Sequence, residues 1–491
     1  MTGAPGPERR ALRWLVLLQP AGFAAGYVLL SFAATPTPVT GLVRPLVIAV
    51  VASVLVAGIS GLLLRNYQAG ALLASGLVLA VSAPWVPLLV VVTTGVWVVL
   101  VAAMRRMRAT RARRWAPTIE GAVRIATIFA VLFAIVSAAS ALPSVLSGVN
   151  VKTSDRGPVA EPPPPDILVL LLDAYPRSDV LAASFGYDNS EFESGLTELG
   201  FDIREDSRSN YTATWATLAS MLNGRYLQDI PAISLFPADQ TEQYLALMRA
   251  INSSALPNVA RQGGYRIAWV ESPFENAALT TADELRSGGQ ITSFELSLLT
   301  DSPLLPALLA VAPDFLIDQQ RSRIHQALSQ LPDLTADDGS PTFAVVHVLS
   351  PHAPIAFDAA GRLVDPPACM PDCSLWAFTD EEQWAGFVGQ VEHLNEIVLD
   401  AIAETVDANP EAVVVVMSDH GSGPPGAPED ALLKSFLAIR HPGTPDFEGD
   451  MSPVNLLPAI FNAYLGTELP TSPYRAWISE SEFPLNMRPV P

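Results

Sequence analysis

Residues 166–173, "DILVLLLD", run six consecutive apolar residues, Ile167 to Leu172, straight into Asp173, immediately after the proline-rich stretch "EPPPP" at 161–165. An apolar run this short, bounded by turn-forming residues, reads as a strand buried on both faces. In open parallel sheets ligand and metal sites gather at the carboxyl ends of the strands, which is where Asp173 stands. Four further runs follow the same pattern: "YRIAWV" (265–270), "TFAVVHVL" (342–349), "AVVVVMSDHG" (412–421) and "SFLAIR" (435–440). Long helical-looking stretches separate them. One, "TDEEQWAGFVGQVEHLNEIVLDAIAETV" (379–406), opens with a capping-box pattern, Thr379 to Glu382, and repeats Trp384, Phe387, Val391, Leu394 and Val398 at helical spacing. His393 on this helix reads as a surface or boundary residue. The alternation predicts an α/β domain over 166–491 with a mainly parallel sheet covered on both faces.

The chain upstream is of another kind. Half of the 491 residues are apolar and only 16% are charged, which is low for a wholly soluble protein. Residues 1–149 hold twelve arginines, no lysine and two acids, Glu8 and Glu120, a net +10; the remaining residues carry −30. That split predicts a membrane half and a solvated acidic half, and an acidic surface without a basic stripe excludes nucleic acid as a partner. Five stretches have the length and apolarity expected of spans: 11–34, 45–64, 69–86, 87–104 and 120–145, the third short and interrupted near Pro84. With five spans, Arg9, Arg10 and Arg13, then Arg65, then the cluster from Arg105 to Arg114 all fall on one side, which is cytoplasmic, so that residues after 150 face outward. The expected organisation is a transmembrane bundle of about five helices at 1–149, a stiff proline-rich linker at 150–165 and an extracytoplasmic catalytic domain at 166–491. Cys369 and Cys373 in "ACMPDCSLW" read as a local disulfide in that exterior half.

Chemistry at Asp173 needs partners. In "VVVVMSDHGSG" a β-branched run ends on Asp419 and His420, offering one oxygen and one nitrogen ligand suited to zinc or manganese, with glycines that leave room for a ligand. Taken alone, the pair also reads as a turn with a stray histidine. In "SNYTATWATLASMLNGRY" (209–226) a helix begins near Thr214, where a hydroxyl would sit among backbone N–H groups that favour anionic oxygens; plain N-capping by Thr212 or Thr214 is the other reading. In "FAVVHVLSPHAPIAFDAAGR" His347 ends a strand and His352 follows in a proline-flanked loop. Either suits contact with phosphate oxygens or protonation of a leaving alkoxide, although His347 equally reads as a buried neutral histidine.

The order strand–Asp, Thr at a helix start, H-x4-H, then S-D-H-G resembles the alkaline phosphatase/sulfatase superfamily. The likeness covers roughly 166–470, including "SPVNLLPAIFNAYLG" (452–466), and the layout of spans before an exterior domain is similar to lipoteichoic acid synthases and lipid A phosphoethanolamine transferases. The resemblance implies Asp173, Asp419 and His420 as ligands of one divalent metal ion, zinc or manganese, with Thr214 as nucleophile and fourth ligand, and His352 and His347 on the phosphate. Those relatives generally place glutamate at the position of Asp173, and the transferases carry a further histidine after D-H-G that "GSGPPGAPED" (421–430) lacks, which argues for one metal rather than two. No C/S-x-P-x-R segment lies near Thr214, which disfavours a sulfatase of the usual kind. The expected function is transfer of a phospho-group of phosphoglycerol or phosphoethanolamine type from a membrane lipid donor to an envelope glycan or lipid through a phosphothreonine. An ester hydrolase on the same site, and a silent glycan- or lipid-binding membrane protein, are the alternatives.

Overall fold

The computed structural model describes residues 18–35, 37–63, 67–82, 109–149 and 153–490, less 232, 234–238, 288–289, 301, 335–338, 364–379, 442, 444–446, 448 and 481–482. The chain forms two compact units, one of residues 1–150 with 293–312, the other of 151–292 with 313–491.

Among the described residues before 150 the first unit has four helices, α1 (Leu18–Ala34), α2 (Val39–Leu63), α3 (Tyr67–Ser82) and α4 (Ala109–Val149). Small residues set their closest approach: a Cβ on Gly70 of α3 would lie 2.3 Å from the backbone nitrogen of Gly61 in α2. Among the described residues, Val39–Leu63 and the Arg124–Pro143 part of α4 are the ones long and apolar enough to cross a membrane. The bundle of five spans is therefore not reproduced among the described residues. Leu18–Ala34 and Tyr67–Ser82 are shorter apolar helices, and the expected span at 87–104 lies outside the described residues. Both long helices leave most of their large side chains exposed: Val47, Val51, Leu55 and Ile59 along α2, and Ile128, Leu132 and Ile135 along α4. A core helix of a water-soluble domain would bury that surface.

In the second unit β1 (Ile167–Leu172) is followed by α5 (Ser178–Phe185), α6 (Ser190–Glu198), β2 (Asp202–Ile203), α7 (Thr214–Asn223), α8 (Gln240–Asn252), α9 (Ala255–Gln262), β3 (Arg266–Val270) and β4 (Glu284–Arg286). The chain then contributes α10 (Ser293–Thr300) and α11 (Leu304–Leu309) to the first unit. It returns through α12 (Phe315–Ser329), β5 (Thr342–Val348), α13 (Asp380–Ala408), β6 (Val413–Met417), β7 (Leu437–Arg440), α14 (Pro453–Leu465), β8 (Ala476–Ser479) and β9 (Met487–Val490). Seven strands form one sheet in the order β2-β7-β6-β1-β5-β3-β4, and β8 and β9 form a small antiparallel pair.

All six residues of β1 are buried, because successive side chains point to opposite faces and both faces are covered. Ile167, Val169 and Leu171 pack with residues of α7, α9 and α14, while Leu168, Leu170 and Leu172 pack with α12 and α13. Each such side chain contributes about 1.5–3 kcal/mol through burial. The predicted runs at 167–172, 265–270, 342–349, 412–421 and 435–440 are all strands, but the last departs from the expected direction. β7 is antiparallel to β6 and β2 is antiparallel to β7, so the sheet is mixed although mostly parallel. The physical reason lies in the connection between Met417 and Leu437, whose only described helical element is the 3₁₀ turn Glu429–Leu432; a parallel return needs a full crossover. Cys369, Cys373 and Thr379 lie outside the described residues.

Candidate metal and nucleophile site

The register of the three central strands assembles the site. β1 runs parallel to β5 on one side and β6 on the other, with Leu171 level with both His347 and Met417. Asp173, His347 and the Asp419–His420 pair therefore emerge side by side at the carboxyl end of the sheet. Asp173 and Asp419 are fully buried, and Thr214, the first residue of α7, is 3% exposed.

Oδ1 of Asp173 and Oδ2 of Asp419 are buried and accept no hydrogen bond. An ionised carboxylate oxygen left in that state is costly unless a cation meets it. His420 Nε2 lies 3.5 Å from Asp419 Oδ2 and 4.0 Å from Asp173 Oδ1, and one ligand atom from each of the three residues fits within 4.8 Å of the others. Two ligand atoms on one tetrahedral zinc are roughly 3.4 Å apart, so these separations suit a shared divalent ion. The remaining carboxylate oxygens are held in place: Asp419 Oδ1 accepts from the Ala174 backbone at 3.0 Å, and Asp173 Oδ2 lies 2.9 Å from His347 Nε2. Burial pushes the Asp173 carboxyl up, but His352, His347 and His420 outweigh it and hold it at about 2. For His420 burial works downward, yet Asp419 and Asp173 prevail and raise it above its ordinary value. The paired carboxylates thus draw positive charge to one point.

Thr214 Oγ1 donates to Asp173 Oδ2 at 3.4 Å, so the hydroxyl borders the same carboxylate. The N–H groups of the first turn of α7 have no intrahelical acceptor and favour an anionic oxygen there. Ala213, at the N-cap, supplies no side-chain bond. Thr212 is differently employed: its Oγ1 accepts from the backbone of Ser479 at 3.0 Å. His352 and His420 both line a cavity of about 240 Å³, together with Thr212, Ser422 and Phe387. His347 sits elsewhere than the sequence suggested for a phosphate contact. It is 2% exposed with Nε2 on Asp173, so it orients that carboxylate instead of facing the cavity. His393 is at the boundary of the core, its ring 4.8 Å from that of Phe357.

Several supporting residues escape a reading by motif. Ser209 and Thr217 both donate to the carbonyl of Asp419, tying the start of α7 to the D-H segment. Ser418 accepts from the Tyr175 backbone at 2.8 Å and donates to the His420 carbonyl at 2.6 Å. All three hydroxyls lie inside the segments that carry the motifs, so proximity in sequence was the one available signal. Gly421 lines the same cavity and is also packed closely against the chain on its other side. A Cβ there would meet the carbonyl oxygens of Ala431 and Lys434 at 2.3 and 2.5 Å, so glycine is required by the close return of the chain. Ala174, which follows Asp173, takes φ of 61°, a conformation costing a non-glycine residue about 1–2 kcal/mol.

No family model and no curated protein matches this sequence. Among solved structures the chain is similar to the C-terminal periplasmic domain of EcEptC from Escherichia coli, at 12% identity over 67% of this chain and 94% of that one, with a TM-score of 0.42. It is similar also to the phosphonate monoester hydrolase SpPMH from Silicibacter pomeroyi, at 15% identity over 64% and 80%, TM-score 0.43. A protein in the alkaline phosphatase superfamily from Vibrio parahaemolyticus matches at 12% identity over 67% and 74%, TM-score 0.37. At this distance the likenesses carry no residue role or activity over to this chain. Its own residues place two aspartates, a histidine and a helix-start threonine around one point, at the carboxyl ends of β1 and β6 and the first residue of α7.

Proposed function

We propose that this chain is a membrane-anchored, metal-dependent enzyme of the cell envelope, whose second unit faces outward and moves a phospho-group from a lipid donor to an envelope glycan or lipid. The observation that carries this reading is the pair of buried carboxylate oxygens without hydrogen bonds, Asp173 Oδ1 and Asp419 Oδ2, facing His420 with the Thr214 hydroxyl alongside. Asp173, Asp419 and His420 would hold the divalent ion, with Thr214 beside them. When bound, the ion supplies charge that stabilises phosphate oxygens and makes the Thr214 proton easier to lose.

Thr214 Oγ1, its proton released to water beforehand, attacks the donor phosphorus and the bond from phosphorus to the lipid oxygen breaks; the same unprotonated oxygen is returned when the phosphothreonine is cleaved. His352, at the cavity, gives a proton to that leaving oxygen. The acceptor hydroxyl then attacks the phosphothreonine, yields its proton to His352, and the bond to Thr214 breaks. His347 keeps Asp173 in position throughout. The outward orientation is supported by the arginine distribution of residues 1–149 read with five spans, and the membrane anchoring by the two exposed apolar helices.

Comparison of envelope lipids and glycans by mass spectrometry, in cells with the protein and with its Asp419→Asn variant, tests the reading. A phospho-modified glycan or lipid that disappears with Asp419→Asn is expected. Identical profiles would contradict envelope transfer, and loss of donor with appearance of free phospho-headgroup would identify a hydrolase.

A further inference from the structure

The chain leaves the second unit after residue 292 and rejoins it at 313, and the twenty residues between belong to the helical unit. Their first part is firmly docked there. Phe294 of α10 is 2% exposed in a cluster with Val28, Phe32, Leu42 and Ala141, its ring 5.9 Å from Phe32 in edge-on contact. Beside it Glu295 accepts from two of the three guanidinium nitrogens of Arg44, Nε at 2.6 Å and Nη2. The second part is of opposite character. From Pro303 to Pro313 the sequence is "PLLPALLAVAP", eleven residues drawn only from proline, leucine, alanine and valine, with Asp301 and Asp314 as the nearest charges. Leu305 alone among its leucines is buried; Leu304 is 49% exposed and Val311 81%.

An uncharged apolar segment turned outward needs a cover, and the neighbouring surface indicates which one. On α2, Val43 and Val47 flank Arg44 and are themselves exposed, beginning the outward apolar stripe that continues through Val51, Leu55 and Ile59. The segment thus follows within eight residues on Glu295, which is anchored at the start of the helix best suited to cross a membrane. At six residues α11 spans about 9 Å, too little to cross a bilayer of about 30 Å, but enough to lie at its edge while the flanking aspartates stay in water.

We propose that residues 303–313 form a second membrane contact, inserted into the phospholipid surface at the Arg44 end of α2. The chain that carries the catalytic site would then be held at the bilayer by this segment as well as by the linker, which suits a lipid donor. The inference rests on the membrane reading of the helical unit. Its test uses the full chain, with Cys369 and Cys373 replaced by serine, in vesicles of phosphatidylcholine and phosphatidylglycerol. Single cysteines at Val311, at Leu55 in α2 and at Glu198 on the exposed surface of the second unit carry an environment-sensitive fluorophore, and spin-labelled lipid serves as quencher. The Val311 probe is expected to lose emission as the Leu55 probe does, while the Glu198 probe keeps it. Quenching at Leu55 but not Val311 would overturn the second contact and leave the spans standing; quenching at neither would overturn both.

Discussion

The strand Ile167–Leu172 and the helix Val39–Leu63 are both nearly pure apolar sequence, yet their side chains meet opposite surroundings. In β1 every residue is at most 1% exposed, whereas along α2 Val43, Leu55, Leu62 and Leu63 are each more than half exposed. The strand's backbone groups are paired by β5 and β6 and its two faces are covered by helices, so the protein itself provides the apolar solvent. A helix satisfies its own backbone and can leave its side chains to lipid. The same kind of composition therefore makes a buried core in one unit and an exposed apolar surface in the other.

One substitution made in both places separates the two. Leu170→Ala in β1 should cost about 2–5 kcal/mol of the second unit's stability, read by denaturant unfolding, because it leaves a cavity. Leu55→Ala should change thermal stability in lipid by less than about 0.5 kcal/mol, as exposed positions do. Equal losses would erase the distinction. Leu55→Arg probes the medium itself: placed in a bilayer it should cost about 2.5–3.5 kcal/mol of insertion, seen as reduced membrane incorporation, whereas a water-facing position would accept it. At the catalytic end of the core, Ala174→Val puts a β-branched residue at φ of 61° and should cost about 1–3 kcal/mol. The smallest effect is expected from Thr212→Ala, which loses the hydrogen bond to Ser479 at about 0.5–1.5 kcal/mol and keeps most of the turnover.

The strands that carry the site were readable because each is a continuous apolar run ending on a residue with chemistry, Asp173 in one and Asp419–His420 in another. β2 and β4 were not, since "DI" and "ELR" are two- and three-residue edge strands with charged members and no alternation to detect. The direction of β7 could have been inferred from the missing crossover before it, but an apolar run by itself carries no direction. Asp173, Thr214, Asp419 and His420 were legible as residue types in order; the place of His347 was not, because only register shows it level with Leu171 and bonded to Asp173. The docking of 293–312 into the helical unit left no mark in composition, as Phe294 and Glu295 find Phe32 and Arg44 across some 250 residues of chain.

The central claim is that Thr214 is the nucleophile beside the carboxylates and His420. Purified protein loaded with a divalent ion, quenched during turnover of a phospholipid donor and digested, should yield a phospho-adduct on the Thr214 peptide by mass spectrometry, absent in Thr214→Ala, whose turnover should fall by roughly 10³-fold or more while it remains folded. An adduct on Thr212 alone, or undiminished turnover in Thr214→Ala, would contradict the account.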